Sequence, residues 1–188
     1  MTIKRLTALV LALLLLTGSC LAEQPAQRWG IGGFKADNLQ GEPVDQTVLK
    51  DAKLTMLNVW ATYCTPCLAE MPDLGQLAAD YKEKGVQIIG LVSDAMAVEN
   101  NTIVADPEMT AKAIKLVEET QADYLHLLPS MDLYASLLWQ VEAVPMTIFL
   151  DSEGYQVGYA YTGSRSYDDW AAILDETLAL LHEEAPNP

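Results

Sequence analysis

The chain has 188 residues, 51% of them hydrophobic and 20% charged, enough apolar side chain for one packed domain and too much for disorder as the resting state. Its 26 acidic residues against 11 Lys and Arg give a formal net charge of -15, and no basic run appears. That argues against nucleic acid as a partner, because phosphate binding needs clustered Lys and Arg. Three cysteines are too few for a disulfide-stapled scaffold.

In chain order, Lys4 and Arg5 precede an apolar run from Leu6 to Leu16, followed by Gly18, Ser19, Cys20, Leu21 and Ala22. The run is too short to span a bilayer comfortably, so residues 1–22 read as an export signal. Two processing outcomes stay open. One is cleavage after Ala22. The other is lipid modification of Cys20, since Leu16-Thr17-Gly18-Ser19 is similar to a bacterial lipobox, with Thr17 where Leu is usual. In neither outcome does Cys20 serve the chemistry of the folded domain. Loss of Lys4 and Arg5 leaves all the acids in place and takes the charge from Glu23 onward to -17.

Residues 23–33 read as a linker, either a tether or an edge, and 34–184 as the domain. Phe34 to Leu39 and the turn Gln40-Gly41-Glu42 predict an N-terminal hairpin. Leu54–Trp60 and Val86–Val92 are compact apolar runs suited to buried strands. Between them, Cys64 to Lys84 has helical spacing, with Pro72 expected to kink it. Residues 93–106 read as a long loop with Glu99-Asn100-Asn101 at its tip. Asp106 and Pro107 open a helix to about Thr120, Tyr124 to Leu128 is a short strand, and Ser130 caps a helix to about Trp139. Met146 to Asp151 and Tyr155 to Tyr161 predict a strand–turn–strand unit, and Ser166 to Asp169 a final helix start. Strands alternating with helices predict an α/β domain, with a mixed sheet from the closing hairpin.

The chemistry centres on Cys64-Thr65-Pro66-Cys67, at the seam between a predicted strand and a predicted helix. At helical spacing the two thiols lie on one side of the first turn and can close a small disulfide. Cys64 falls at the helix N-terminus, where unpaired amides stabilise a thiolate. Cys67 can then attack a mixed disulfide formed on Cys64, and Pro66 restricts the loop between them. Other readings are half a zinc site, an inert structural disulfide, or a peroxidatic cysteine. The first lacks a second ligand pair, as His126 and His182 are far apart. The second gains little loop entropy, and the third lacks the surrounding Pro-x-x-x-Thr-x-x-Cys run.

The run Asn58-Val59-Trp60-Ala61-Thr62-Tyr63-Cys64-Thr65-Pro66-Cys67-Leu68-Ala69-Glu70-Met71-Pro72 resembles the signature of the TlpA/ResA-type thioredoxin-like proteins, which are extracytoplasmic bacterial thiol–disulfide oxidoreductases. The resemblance resumes at Ala143-Val144-Pro145-Met146-Thr147-Ile148-Phe149-Leu150-Asp151-Ser152-Glu153-Gly154. It implies a thioredoxin fold: a central mixed β-sheet flanked by helices, with an αβ insertion, here about 94–129, before a cis-proline motif. It implies that Val144-Pro145 is that motif, with a cis bond facing the cysteines and the Val144 backbone presented to an extended substrate. It also places Glu70 where related proteins carry an acid near the active site, able to exchange a proton with Cys67. A solvated first-turn glutamate is the alternative. Asn58 stands where cytoplasmic thioredoxins carry a buried aspartate.

Trp60 and Tyr63 flank the motif and, with Thr65, Pro66, Val144 and Pro145, are candidates for the substrate face; Trp60 is equally a core candidate. Trp29, Trp139 and Trp170 read as packing. The expected function is exchange of disulfides with protein substrates, in the reducing direction and fed by a membrane electron donor. It needs no cofactor beyond the Cys64–Cys67 disulfide and no metal. A disulfide-forming oxidase uses the same cysteines. A redox-inert or copper-handling binding module is the alternative from another class, with Met71 and Met146 near the motif but no histidine close in sequence.

Overall fold

The computed structural model describes residues 28–184. The export signal, with Cys20 as a lipidation site, and the first part of the linker lie outside the described residues, as does the side chain of His182. The elements are β1 (Lys35–Asp37), β2 (Pro43–Asp45), β3 (Leu54–Trp60), α1 (Thr65–Tyr81), β4 (Val86–Val92), β5 (Met96–Glu99), β6 (Thr102–Ala105), α2 (Pro107–Thr120), β7 (Leu125–Leu127), α3 (Met131–Ser136), β8 (Met146–Asp151), β9 (Tyr161–Thr162) and α4 (Tyr167–Glu184).

Five strands make the central sheet in the order β7-β4-β3-β8-β9. β3 pairs in parallel with β4, and β4 with β7, while β8 runs antiparallel to β3 and to β9. This mixed sheet, with helices on both faces, is the thioredoxin arrangement expected from the resemblance. Every residue of β3 is buried, which is why its sequence is a near-continuous apolar run rather than an alternation. One face of the sheet, with Leu57, Val59, Ile89, Leu91 and Ile148, packs on Leu133 and Leu137 of the α3 segment. On the other face, Met56, Ile88 and Phe149 pack on Leu74 and Leu77 of α1 and on Trp170 and Leu174 of α4. Truncating any one of these buried aliphatic side chains to Ala costs about 2–5 kcal/mol.

The expected caps are present. Asp106 accepts from the Met109 amide at 2.9 Å, and Ser130 from the Leu133 amide at 3.3 Å. Ser166 accepts from the Asp169 amide at 3.3 Å and donates its hydroxyl proton to the Asp169 carboxylate at 2.7 Å. Each cap is worth about 1 kcal/mol. The helix α1 continues through Pro72.

The structure corrects three readings here and decides a fourth that the sequence left open. Residues 93–106 are not a long loop: β5 and β6 form an antiparallel hairpin in which Glu99 faces Thr102. Its two-residue turn, Asn100-Asn101, has φ of 48° and 63°, the backbone a tight hairpin turn requires and one that Asn tolerates. The strand predicted over Tyr155–Tyr161 is mostly irregular. It touches β8 at Leu150–Gln156 and through the Val157 amide, then leaves the ladder at Gly158, whose φ is 65°, and pairs again only as β9. The described part of the linker is an edge rather than a tether, because Ile31 is apolar and joins the core while Gly30 bridges to Tyr155. Finally, Trp29 and Trp139 are not packing residues: both are exposed, Trp139 to 64%.

The N-terminal hairpin β1–β2 docks on the β7 edge of the main sheet. An Asn38–Leu127 bridge holds it, with the Leu39 and Leu128 amides donating to the His126 and Asp37 carbonyls. A cleft of about 810 Å³ lies between this hairpin and β6, lined by residues such as Lys35, Asp45, Ile103 and Ser130. Neither cysteine lines it.

Candidate active site

Strand β3 delivers the chain to the site, and the turn after it is pinned from the side. The Asp94 carboxylate, just past β4, accepts from the Thr62 amide at 2.9 Å and from its hydroxyl at 2.6 Å. Cys64 then takes the N-cap position of α1 with extended backbone, φ -86° and ψ 94°. Cys64 and Cys67 form a disulfide, with S–S 2.02 Å and Cα–Cα 5.3 Å. The Cys67 amide donates to Cys64 Sγ at 3.2 Å. In the dithiol state, that amide and the positive end of the helix dipole favour a thiolate on Cys64 over one on Cys67. Exposure follows the same order: Cys64 retains 5% and Cys67 0%. Tyr63, Thr65 and Pro66 are exposed around them, Tyr63 to 72%.

The Val144–Pro145 bond is cis, as the resemblance implied, and Val144 packs against the cluster that holds both cysteines. Trp60 is corrected. At the end of β3 its side chain turns into the core, 0% exposed, so it cannot touch a substrate; its neighbour Tyr63, beyond the strand, can.

Three residues after Cys67 on α1, Glu70 is 2% exposed, which rules out the solvated reading. Its carboxylate accepts from three donors: Asn58 Nδ2 at 3.0 Å on Oε1, and the Arg165 amide at 3.1 Å and Trp170 Nε1 at 3.2 Å on Oε2. Burial pushes its carboxyl pKa up, while these three bonds and the nearby Arg165 charge pull against that rise. Asn58 also donates to Thr147 Oγ1 at 3.0 Å. Of these partners, sequence reasoning had singled out only Asn58 for the site. Thr147, Trp170 and Arg165 were missed. Arg165 acts through its backbone amide, which carries no side-chain signal. Trp170 was assigned to packing, which its burial bears out, but its indole N–H also serves the acid.

Register explains the cluster. Thr147, Asn58, Gly90 and His126 stand side by side on β8, β3, β4 and β7, so they form one row across the sheet. Gly90 is a requirement of this row: a Cβ there would lie 2.2 Å from His126 Nδ1 and 3.1 Å from Trp60 Nε1. The His126 ring therefore lies over Gly90, its Nε2 3.1 Å from the Ala122 carbonyl. Since a carbonyl only accepts, Nε2 carries the proton and Nδ1 is a bare acceptor. Burial pushes the His126 pKa down to about 4. Tyr124 stacks on this ring, centroids 4.4 Å apart, and Trp60 meets it edge-on at 5.7 Å. Among the described residues no group of three or more His, Cys, Asp or Glu could hold a metal ion.

Residues 31–155 match the AhpC/TSA family. The chain is 40% identical to the thiol-disulfide oxidoreductase ResA of Oceanobacillus iheyensis over 73 residues, 37% of this chain and 38% of that protein. It is 28% identical to the ResA of Halalkalibacterium halodurans over 152 residues, 81% of this chain and 75% of that protein. Several of the matches to ResA proteins thus span well under half the length of the relative. In structure it superposes on a putative thiol:disulfide interchange protein DsbE from Chlorobium tepidum with a TM-score of 0.62, covering 84% of this chain and 99% of that one at 23% identity. The disulfide at a helix start, the cis-proline beside it and this agreement in fold and sequence converge: the chain belongs to the AhpC/TSA family, as a thioredoxin-like protein of the TlpA/ResA type.

Proposed function

We propose that the protein is an exported thiol–disulfide oxidoreductase that reduces disulfides of protein substrates outside the cytoplasm. The observation that carries this reading is the Cys64–Cys67 disulfide at the N-terminus of α1. In the reaction, the Cys64 thiolate attacks one sulfur of a substrate disulfide, forming a Cys64–substrate bond and releasing the other sulfur as a thiolate that takes up a proton. Cys67 then gives its proton to Glu70, and its thiolate attacks Cys64 Sγ. The Cys64–substrate bond breaks, the second substrate thiolate leaves, and the Cys64–Cys67 disulfide forms. Two electrons pass from the dithiol to the substrate. A membrane electron donor restores the dithiol by the same exchange in reverse, since the compartment is oxidising.

Tyr63, Thr65 and Pro66, exposed beside the cysteines, and Val144 with Pro145 form the face that meets substrate. The similarity of residues 1–22 to an export signal supports the location, and a lipid on Cys20 would tether the protein to the membrane. No helix among the described residues is long and apolar enough to cross a membrane.

Cysteine variants test the roles. Cys67→Ser accumulates mixed disulfides with substrate through Cys64, whereas Cys64→Ser accumulates few; equal trapping by both would remove the assignment. Equilibration with glutathione and dithiothreitol buffers tests the direction. A reductase falls on the side of thioredoxin, about -270 mV, and a potential near about -120 mV, that of a strong oxidant, would reverse the direction.

A further inference from the structure

We propose that the Arg165 side chain is a positioning residue: it clamps the β9–α4 loop, so that one short segment serves both the substrate face at Pro145 and the Glu70 carboxylate. The loop has three ties. At its start the Gly163 amide donates to the Pro145 carbonyl at 2.9 Å. Two residues on, the Arg165 amide donates to Glu70 Oε2 at 3.1 Å. The Arg165 guanidinium folds back between them, its Nη1 donating to the Gly163 carbonyl at 2.8 Å and lying 3.5 Å from that of Thr162. The same guanidinium lies over two rings, 4.9 Å from the centroid of Tyr161 and 5.0 Å from that of Trp170. Trp170 itself donates to Glu70 Oε2 at 3.2 Å. One residue thus supplies one donor to that oxygen and packs on the other.

The backbone of the loop is poorly suited to hold this course by itself. The β8–β9 ladder ends at Thr162 and α4 begins at Tyr167. Gly163 turns with φ of 89°, and a Cβ there would meet nothing within 4 Å, so the most flexible residue type stands where the chain leaves the sheet. A guanidinium can correct this, because it donates in its plane while its faces stack on aromatic rings. Its two platforms are fixed: Tyr161 pairs with Thr147 on β8, Trp170 is fully buried, and both meet Phe149 edge-on. Thr147 in turn accepts from Asn58, the third donor to Glu70. The other titratable groups on the elements that meet here are Cys67 and Asp73 on α1, Tyr161 on β9, Tyr124 and His126 at β7, and Tyr167, Asp168 and Asp169 on α4. Of the acids, Asp73 accepts from the Tyr167 amide and Asp169 from Ser166.

The proposal rests on the reading of Glu70 as proton acceptor only for its effect on rate. The test compares the natural oxidised chain with Arg165→Met, which removes donor and charge at similar length, and with Arg165→Lys, which keeps the charge and loses the planar fork. In Arg165→Met the amides at positions 163 and 165 are expected to exchange hydrogen about tenfold faster at constant pH, while those of β3 hold. A loosened donor no longer favours the carboxylate, so the midpoint of the Glu70 13Cδ resonance, assigned with Glu70→Gln, is expected to rise by about one pH unit. Unchanged exchange at 163 and 165 overturns the proposal. If Arg165→Lys returns the midpoint to its natural value while both amides still exchange fast, the charge alone acts on Glu70 and the positioning role is likewise overturned. In the unsubstituted protein the Arg165 amide 15N resonance is expected to titrate with the Glu70 midpoint, a readout that needs no variant at Arg165; a signal blind to that titration removes the bond on which the clamp acts. If exchange and midpoint move but the rate of mixed-disulfide resolution does not, Arg165 keeps its role and Glu70 loses the proton step.

Discussion

Replacing His126 by Gln isolates one proton in the stability of this fold. His126 is buried and neutral, and its pKa falls from an ordinary 6.5 to about 4, chiefly through burial. The unfolded chain therefore binds this proton first as pH falls. The stability this contributes is complete above pH 6.5 and is lost as pH drops towards about 4. At about 1.36 kcal/mol per pH unit, the loss comes to about 3 kcal/mol. Glu70 acts in the opposite sense. Its folded pKa is raised, so its contribution to stability is lost as pH climbs above its ordinary 4.5. A raw stability profile mixes the two with every surface carboxylate. The difference between the natural chain and His126→Gln does not, because the other groups cancel. The Gln amide nitrogen can stand where Nε2 stands and still donate to the Ala122 carbonyl, without titrating. Urea unfolding followed by tryptophan fluorescence, from pH 7.5 to pH 4, is expected to show the natural chain losing about 3 kcal/mol relative to the variant, most of it below pH 6.5. A gap that stays constant across that range would refute the argument, and would mean that His126 is charged or solvated in the folded state.

Two further substitutions test the site from other sides. Gly90→Ala puts a Cβ 2.2 Å from His126 Nδ1 and 2.8 Å from its Cε1, against a ring held by Tyr124 and Trp60, and is expected to cost about 1–3 kcal/mol by overpacking; urea unfolding measures it, and adding His126→Ala should remove most of that penalty. Glu70→Gln presents one amide oxygen and one NH₂ to three donors, so at least one donor meets an NH₂. Resolution of the mixed disulfide is expected to slow by roughly 100-fold, followed by stopped-flow tryptophan fluorescence, and a rate within twofold of the natural chain would return Glu70 to a purely structural role.

Local chemistry was legible in the sequence wherever one short segment carries it. The Cys64–Cys67 pair, its place at a helix start, and the caps at Asp106 and Ser130 all depend on residues within a turn of each other. The hairpin of β5 and β6 was also local, but two successive Asn residues give a weaker turn signal than Asn-Gly, and β5 and β6 are too exposed to show an apolar alternation. What stayed hidden depended on register. Which face of the sheet Trp60 packs on, and so that it shares one with Asn58, is fixed by its parity along β3, and a one-residue shift would move it to the other face. Nothing in the linear order tells that Thr147, Asn58, Gly90 and His126 share a row, because their strands follow the sheet order β8-β3-β4-β7.

That row accounts for an arrangement that would otherwise be unstable. An acid as deeply buried as Glu70 survives only if donors surround it, and no single element supplies them: one comes from β3, one from the loop before α4 and one from α4 itself. Cys67 sits three residues earlier on the same helix, so any shift of α1 against the sheet moves the thiol and the acid together while changing the acid's donors. The Asn58–Thr147 bond fixes one of those donors from the β8 side, on the strand that also carries the cis-proline at its start. On the β4 side the row has a glycine, and only a glycine leaves room for the His126 ring that supports Tyr124. Glu70 thus rests on a buried polar layer, while Cys67, three residues earlier on α1, lies in the apolar cluster with Trp60 and Met71. Of the two cysteines only Cys64 keeps any exposure, 5% against 0%.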